Sequence, residues 1–346
     1  MRNFCQWFRN LIGSPVITAP TTPNPDYIDY ANDYIIPIPG MADDTWLYCF
    51  PIKGTYRQML EVVNQRLNFS PLNKQIRYFP LSDSMMMVVS DIRKGYTLDP
   101  NYKKYGYLAE KGIQFFMPLV ECLQDGNKGW KAERLAFFIP YIAVDQPYNV
   151  AIGREELGYP KVMGRIDMPI LPQNADNFNV DVYGFKQFNK ANPEFGQFHS
   201  FLNIKKINGT VPEGQWHNHQ EAWTHIKEHI APPTADQHIE WGLPFVVHEL
   251  EDVVARKLPL VFLKQFRDIT NPSKACYQAL TQGNGFTENF LGGWFLGGEY
   301  GVTINDLASF PICADLGIAN NFTVSHPFWI HANLKFETGT VLWRAD

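Results

Sequence analysis

The stretch Val150-Ala-Ile-Gly-Arg-Glu-Glu-Leu-Gly-Tyr-Pro-Lys-Val162 decides the reading of this chain. Its first residues, Asn149–Gly153, are apolar enough to read as a strand, and Gly158 with Pro160 builds a turn after it. Lys161 is thereby presented where a strand ends, among aliphatic and aromatic neighbours. A lysine held there loses hydration. Desolvation penalises the ammonium form and draws the amine from about 10.4 towards neutrality, where it can attack a ketone.

The flanking sequence is strand-rich. Apolar runs containing Val, Ile, Phe, Tyr and Met recur at Trp46–Ile52, Ile76–Phe79, Met85–Val89, Gln114–Leu119, Leu135–Ile142 and Asn179–Tyr183. They continue at Leu260–Phe266, Cys276–Thr281, Gly293–Leu296, Gly301–Ile304 and Phe328–Phe336. One helix is expected at Tyr56–Leu67 with Thr55 as its N-cap. The pattern predicts a β-rich α+β fold, a curled antiparallel sheet or β-barrel with flanking helices.

Residues 1–45 form a separate zone. Residues 14–42 are rich in Pro, Thr and Asn without helical periodicity, which predicts an extended arm that wraps the body or meets a neighbouring subunit. The body then runs over 46–346, interrupted at 190–258 by Pro193, Pro212, Pro232-Pro233 and Pro244. These flank helical patterns at Gln215–Ile230 and Val246–Lys257, so the region reads as a helical insertion.

The residues that carry the chemistry resemble the acetoacetate decarboxylase family. That family's signature is a Gly-Arg-Glu stretch followed by Tyr-Pro-Lys, matched here by Gly153-Arg154-Glu155 and Tyr159-Pro160-Lys161. Ala109-Glu110-Lys111-Gly112 resembles the segment holding a catalytic Glu. Leu260-Val-Phe-Leu-Lys264 and Tyr277-Gln-Ala-Leu280 resemble later strands, and Gly293-Trp294 to Gly297 resembles a Trp-containing strand before a closing hairpin. The likeness spans Trp46 to the C-terminus apart from 190–258. It implies a carbon–carbon lyase that decarboxylates a β-keto acid through an imine to Lys161, with Glu110 moving protons and no separate cofactor. The same electron sink serves aldol, retro-aldol or dehydration chemistry, and a non-catalytic small-molecule-binding or structural protein can keep the same fold.

Two departures bear on the substrate. The family enzyme carries a second Lys after the imine-forming one, where Val162 stands here. Its decarboxylases also place an Arg to meet the substrate carboxylate, whereas Asp44–Lys53 contains none. Lys53 lacks the planar fork that binds a carboxylate through two bonds. Arg154 and Glu155 fit a buried ion pair that fixes the turn and positions Lys161, as well as they fit substrate contact. Tyr159 either lines the pocket or packs with Phe137 and Phe138.

Composition closes off other classes. Thirty basic against thirty-five acidic residues give a formal charge of -5 with no Lys/Arg-rich block, which argues against a nucleic-acid partner. The glycines of Leu291–Gly298 form no phosphate-binding loop and read as strand kinks. His217, His219, His225 and His229 form the one histidine concentration, but they lack the Glu that a metalloprotease helix needs, so no metal is expected. Five scattered cysteines read as reduced thiols. No apolar run reaches the roughly 18 residues of a membrane span. Arg9 and Asn10 interrupt a weak candidate secretory signal, and the sequons at Asn68, Asn208 and Asn321 matter only on secretion, so the expected location is cytoplasmic. The arm and the family habit imply a homo-oligomer acting on a small keto acid or related carbonyl compound.

Overall fold

The structure is a computed structural model that describes residue 27 and residues 37–69, 75–124, 129–226 and 257–345. The region expected to be helical at 246–256 and the N-terminal arm other than residues 27 and 37–45 lie outside the described residues. Among the described residues fourteen strands form one continuous mixed sheet, curled so that part of it closes on itself.

The closed part is built on long strands with period-two patterning. β1 (Gly40–Lys53) lies antiparallel between β3 (Ser84–Thr97) and β14 (Phe328–Arg344). β3 pairs with β4 (Leu108–Gln124), and β14 with β11 (Ala275–Phe295), which pairs with β10 (Lys257–Arg267). β5 (Trp130–Phe138) closes the ring, running antiparallel to β4 and touching β10 through a parallel bridge at Leu260 and Phe137. β2 (Ile76–Pro80) adds to the far half of β4.

From the near half of β4 the sheet continues through β6 (Ile142–Val144) and β7 (Lys161–Asp167), which are parallel to one another. β8 (Asn177–Gly184), β9 (Gln197–Asn208), β12 (Glu299–Ile304) and β13 (Asn321–Ser325) complete it in that order. The expectation of an antiparallel sheet therefore needs two parallel links added.

Alternation decides what each face does. On β4, Ile113, Phe115 and Met117 enter the main core. Phe115 meets Phe201 there, while Phe50 packs edge-on against Phe178 and Tyr300. Each such aromatic contributes about 1.5–3 kcal/mol on burial. Glu110, Gly112, Gln114 and Phe116 occupy the opposite face of the strand, and Glu110, Gln114 and Phe116 look into the ring. Helix α1 (Tyr56–Arg66) buries Met59, Val62 and Val63 in the main core, and its cap residue Thr55 donates its hydroxyl to Gly317 O at 3.2 Å.

Three local expectations are corrected. The run Leu135–Ile142 is not one strand: β5 ends at Phe138 and β6 begins at Ile142, because Pro140 between them has no N–H for a ladder. Asn149–Gly153 is helical, in a helix that starts at Pro147. Within the proline-flanked segment, Gln197–Asn208 forms β9, hydrogen-bonded to both β8 and β12. The helical pattern at 215–230 is realised as a helix at His219–Ile226, and residues 227–256 lie outside the described residues. Gly40–Thr45, at the end of the arm, already belong to β1.

The glycine-rich stretch behaves as kinks. The β11–β14 register slips between Phe290 and Gly292. Gly297 and Gly298 then take φ of 66° and 71° as β11 turns towards β12, and a Cβ on Gly298 would lie 1.9 Å from Asn208 O. Only glycine accommodates that turn.

Candidate functional site

The segment before Lys161 is a helix because of how it starts. The Gln146 side chain accepts a bond from Tyr148 N at 3.2 Å, and Pro147 takes the first helical position. Its missing N–H costs nothing there. Helix α2 (Pro147–Ile152) then widens into a π turn over Gly153–Leu157. Gly158 ends it in the left-handed conformation, φ 79°, packed against the Lys264 backbone. Tyr159 N donates to Gly153 O at 2.8 Å, and Lys161 N to Tyr159 O at 2.7 Å. Lys161 consequently opens β7 rather than closing a strand, and it aligns with Ile142 of β6, itself aligned with Gln114 of β4.

Gly153 provides the room for the lysine stem. A Cβ there would stand 2.7 Å from Lys161 Cδ and 3.1 Å from Cε. The stem thus runs across the π turn, and Nζ donates to Glu110 Oε2 at 2.7 Å. Both side chains are largely withdrawn from water, 13% exposed for Lys161 and 5% for Glu110. The structure brings these two residues together, 51 positions apart in sequence.

The pair borders a cavity of about 350 Å³ lined largely by the ring strands. Its walls are mainly aliphatic and aromatic. Polar lining comes from Thr45, Ser90, Gln114, His219 and Thr287 in addition to the pair. Gln114 Nε2 donates to Ser90 Oγ at 3.0 Å and folds back over Gly112, whose missing side chain leaves that space open. Sequence reading missed Gln114 and Ser90. The spacing Glu110-x-Gly112-x-Gln114 on one strand face is the signal that carries Gln114.

Among the described residues no second Lys and no Arg lines this cavity. Lys53 pairs with Asp83 at 3.6 Å and is not among the lining residues, so it does not take the place of the missing Arg. Val162, on the opposite face of β7 from Lys161, packs against the main core.

Tyr159 borders the cavity, and its ring neighbour, at 4.2 Å between centroids, is Phe262 where Phe137 and Phe138 were expected. Burial, then the nearby carboxylates of Glu110 and Glu156, push its phenol above the usual value, so it stays neutral. Arg154 and Glu155 stand elsewhere. Arg154 is exposed and does not form the buried pair with Glu155; the Glu155 carboxylate instead accepts from Tyr27 OH at 2.9 Å, and neither residue lines the cavity. The neighbour Glu156, unassigned from sequence, accepts Ile38 N at 3.1 Å and 3.2 Å through its two oxygens. Burial raises its carboxyl to about 7, with the Ile38 N–H and Lys264 opposing the rise. Burial also lowers the Lys264 ammonium. A smaller cavity of about 140 Å³ is bordered by Glu156 and shares Glu110, Tyr159 and Lys161 with the larger one.

The overall fold has counterparts among solved structures. The acetoacetate decarboxylase of Legionella pneumophila superposes with a TM-score of 0.54 at 11% identity, covering 94% of this chain and 93% of that one. A second acetoacetate decarboxylase gives 0.53 at 12% identity over 90% and 92%. The chain has the acetoacetate decarboxylase fold. The same fold is seen in the enduracididine biosynthesis enzyme MppR in complex with pyruvate, with a TM-score of 0.51 at 12% identity over 90% and 93%. No family model matches the sequence, and no curated protein matches it. The acetoacetate decarboxylase fold is therefore shared at a sequence distance where chemistry must be argued from the site.

No helix among the described residues is long and apolar enough to cross a membrane. Among those residues no three His, Cys, Asp or Glu side chains gather as metal ligands, and of the histidine concentration His219 borders the cavity.

Proposed function

We propose that the protein is a Schiff-base-forming lyase in which Lys161 attacks the ketone of a β-keto acid and the imine drives loss of carbon dioxide. The observation that carries this reading is the 2.7 Å contact of Lys161 Nζ with Glu110 at the wall of an apolar cavity. A lysine must shed a proton before it can attack, and Glu110 is the acceptor within reach. Addition to the carbonyl carbon and loss of water give the protonated imine. Its positive nitrogen withdraws the electron pair of the breaking bond to the carboxyl carbon, carbon dioxide leaves, and an enamine remains. Protonation of the enamine carbon, with Glu110 as the proton source, and attack of water on the imine return the ketone and the free lysine. No cofactor is needed for these steps.

The surroundings support the same steps. Apolar walls disfavour a localised carboxylate more than the dispersed charge of the departing group. The Gln114 amide, held by Ser90, offers a neutral donor for a second substrate oxygen. Decarboxylases share the fold, and MppR of the same fold is known with pyruvate, a keto acid.

One observation favours a second reading. With no further cation in the described lining, a neutral dicarbonyl or hydroxyketone meets less electrostatic mismatch than a keto acid, and the same imine then serves retro-aldol or dehydration chemistry. Borohydride reduction with acetoacetate and with acetylacetone is expected to leave a mass adduct on Lys161 that Lys161→Ala lacks. Carbon dioxide release from β-keto acids then separates the two reactions. Absence of any adduct between about pH 5 and about pH 9 overturns both and leaves a binding protein.

A further inference from the structure

The cavity is larger and its lining more apolar than a four-carbon keto acid requires. A volume of about 350 Å³ equals the space of roughly a dozen water molecules. Its polar groups are unevenly spread. Glu110, Gln114 and Lys161 lie close together on β4 and β7, linked across β6 by the register that aligns Gln114 with Ile142 and Ile142 with Lys161. Beyond them, Leu47, Phe116, Phe290 and Ile330 line the cavity and share one apolar cluster with Val88, the partner of Gln114 on β3, and with Ala222 and Ile226 of α3 (His219–Ile226), where His219 is the polar lining group. That end offers a substrate dispersion contacts and release of water from apolar surface, with few hydrogen bonds.

Resting on the imine reading, we propose that the substrate is a β-keto acid whose ketone carries a medium-length apolar chain. The keto-acid end meets Lys161, Glu110 and Gln114, and the chain extends between the ring strands and α3. Acetoacetate fits the chemistry but leaves the apolar end without contacts. Each methylene moved from water to this wall strengthens binding about fourfold until the space is filled.

The test is a chain-length series of 3-oxo acids from acetoacetate to 3-oxododecanoate, measured as carbon dioxide release and as borohydride adduct on the wild-type protein. The expected result is a kcat/KM that climbs at least tenfold from acetoacetate to a maximum at medium length and then falls. In Ala222→Phe, which places a ring in the apolar end, the maximum is expected to move to shorter chains. A flat or falling series with an adduct still formed on acetoacetate overturns the chain and leaves the imine reading intact. An unmoved maximum in a folded Ala222→Phe protein also overturns it. Should no acid form an adduct, the imine reading fails by itself. Displacement of an anilinonaphthalene dye from Lys161→Ala by 2-alkanones then decides the chain independently: tightening with length supports it, and equal displacement overturns it.

Discussion

Strand β4 carries two glutamates almost closed off from water, and they are used in opposite ways. Glu121, 1% exposed, is saturated: Arg134 meets it through two bonds of 2.9 Å and 2.8 Å, Tyr78 OH donates at 2.8 Å, and Arg134 reaches on to Gln282 at 2.6 Å. This cluster ties β2, β4, β5 and β11 together where the ring closes. Glu110, earlier on the same strand, pairs with Lys161 and faces an open cavity. The partners differ in kind as well. Arg134 keeps its proton under all ordinary conditions, whereas a lysine can release one. A saturated carboxylate holds a fold together, and a carboxylate with a labile partner can move a proton.

The comparison breaks if the two glutamates respond alike. Glu110→Gln keeps the shape but cannot take the Lys161 proton, and turnover is expected to fall by about 10²–10⁴. Glu110 faces the cavity, where water can stand beside the Lys161 ammonium in its place, so this variant is expected to lose less stability than Glu121→Gln. Glu121→Gln leaves the Arg134 guanidinium without its counter-charge and is expected to cost about 3 kcal/mol of stability while turnover per folded molecule holds. Urea unfolding with single-turnover rates checks both. A Glu110→Gln protein that is as destabilised as Glu121→Gln and still active sinks the division of roles.

Glu156 sharpens the contrast with a third carboxyl, buried and held by the Ile38 N–H rather than by an arginine. Its folded value of about 7 lies above the roughly 4.3 of an unfolded chain. Between those values the folded protein binds more protons than the unfolded one, so the stability this group contributes is complete below the unfolded value. It is lost as pH rises through about 7. Glu156→Gln keeps a neutral side chain at every pH. The stability difference between variant and wild type is expected to shift by about 2 kcal/mol in the variant's favour from about pH 5 to about pH 8. Parallel pH profiles contradict the assignment.

Much of the ring was legible in the sequence because long strands with one core face announce themselves: Met85–Val89 and Gln114–Leu119 fall within β3 and β4. Lys161 and Glu110 were legible through their resemblance to a known signature, and their contact is consistent with it. What the sequence hid has physical causes. A five-residue apolar run suits a helix or a strand, and at Asn149–Gly153 the cap of Gln146 and the proline at position 147 decide for the helix. β9 lies between Pro193 and Pro212, and its alternation, carried by Leu202 and Ile204, is broken by a bulge at Phe201 where the register with β8 slips. The spacing from Glu110 marks Gln114 as facing the same side of β4, but its alignment with Lys161 runs through a register across β6, a non-local pairing with no mark in the local sequence.

The smallest change tests the most local step, the aim of the lysine. In Gly153 the backbone is helical, φ -62°, so an alanine there meets no conformational barrier and replaces a poor helix former by a good one. What it does meet is the stem of Lys161, with Cδ 2.7 Å from the added carbon. The stem is flexible and can shift slightly, which moves Nζ relative to Glu110 while leaving both residues in place. Gly153→Ala is therefore expected to leave thermal stability within about 1 kcal/mol of the wild type and to lower the rate of imine trapping by roughly tenfold, a misplacement effect. Unaltered trapping shows that the turn tolerates the methyl and that Lys161 is aimed by β7 alone; a large loss of stability places the constraint in the packing of the π turn instead. The carboxylate of Glu121, further along the same strand as Glu110, provides the control, since its bonds to Arg134 do not pass over Gly153 and the ring closure should unfold as before.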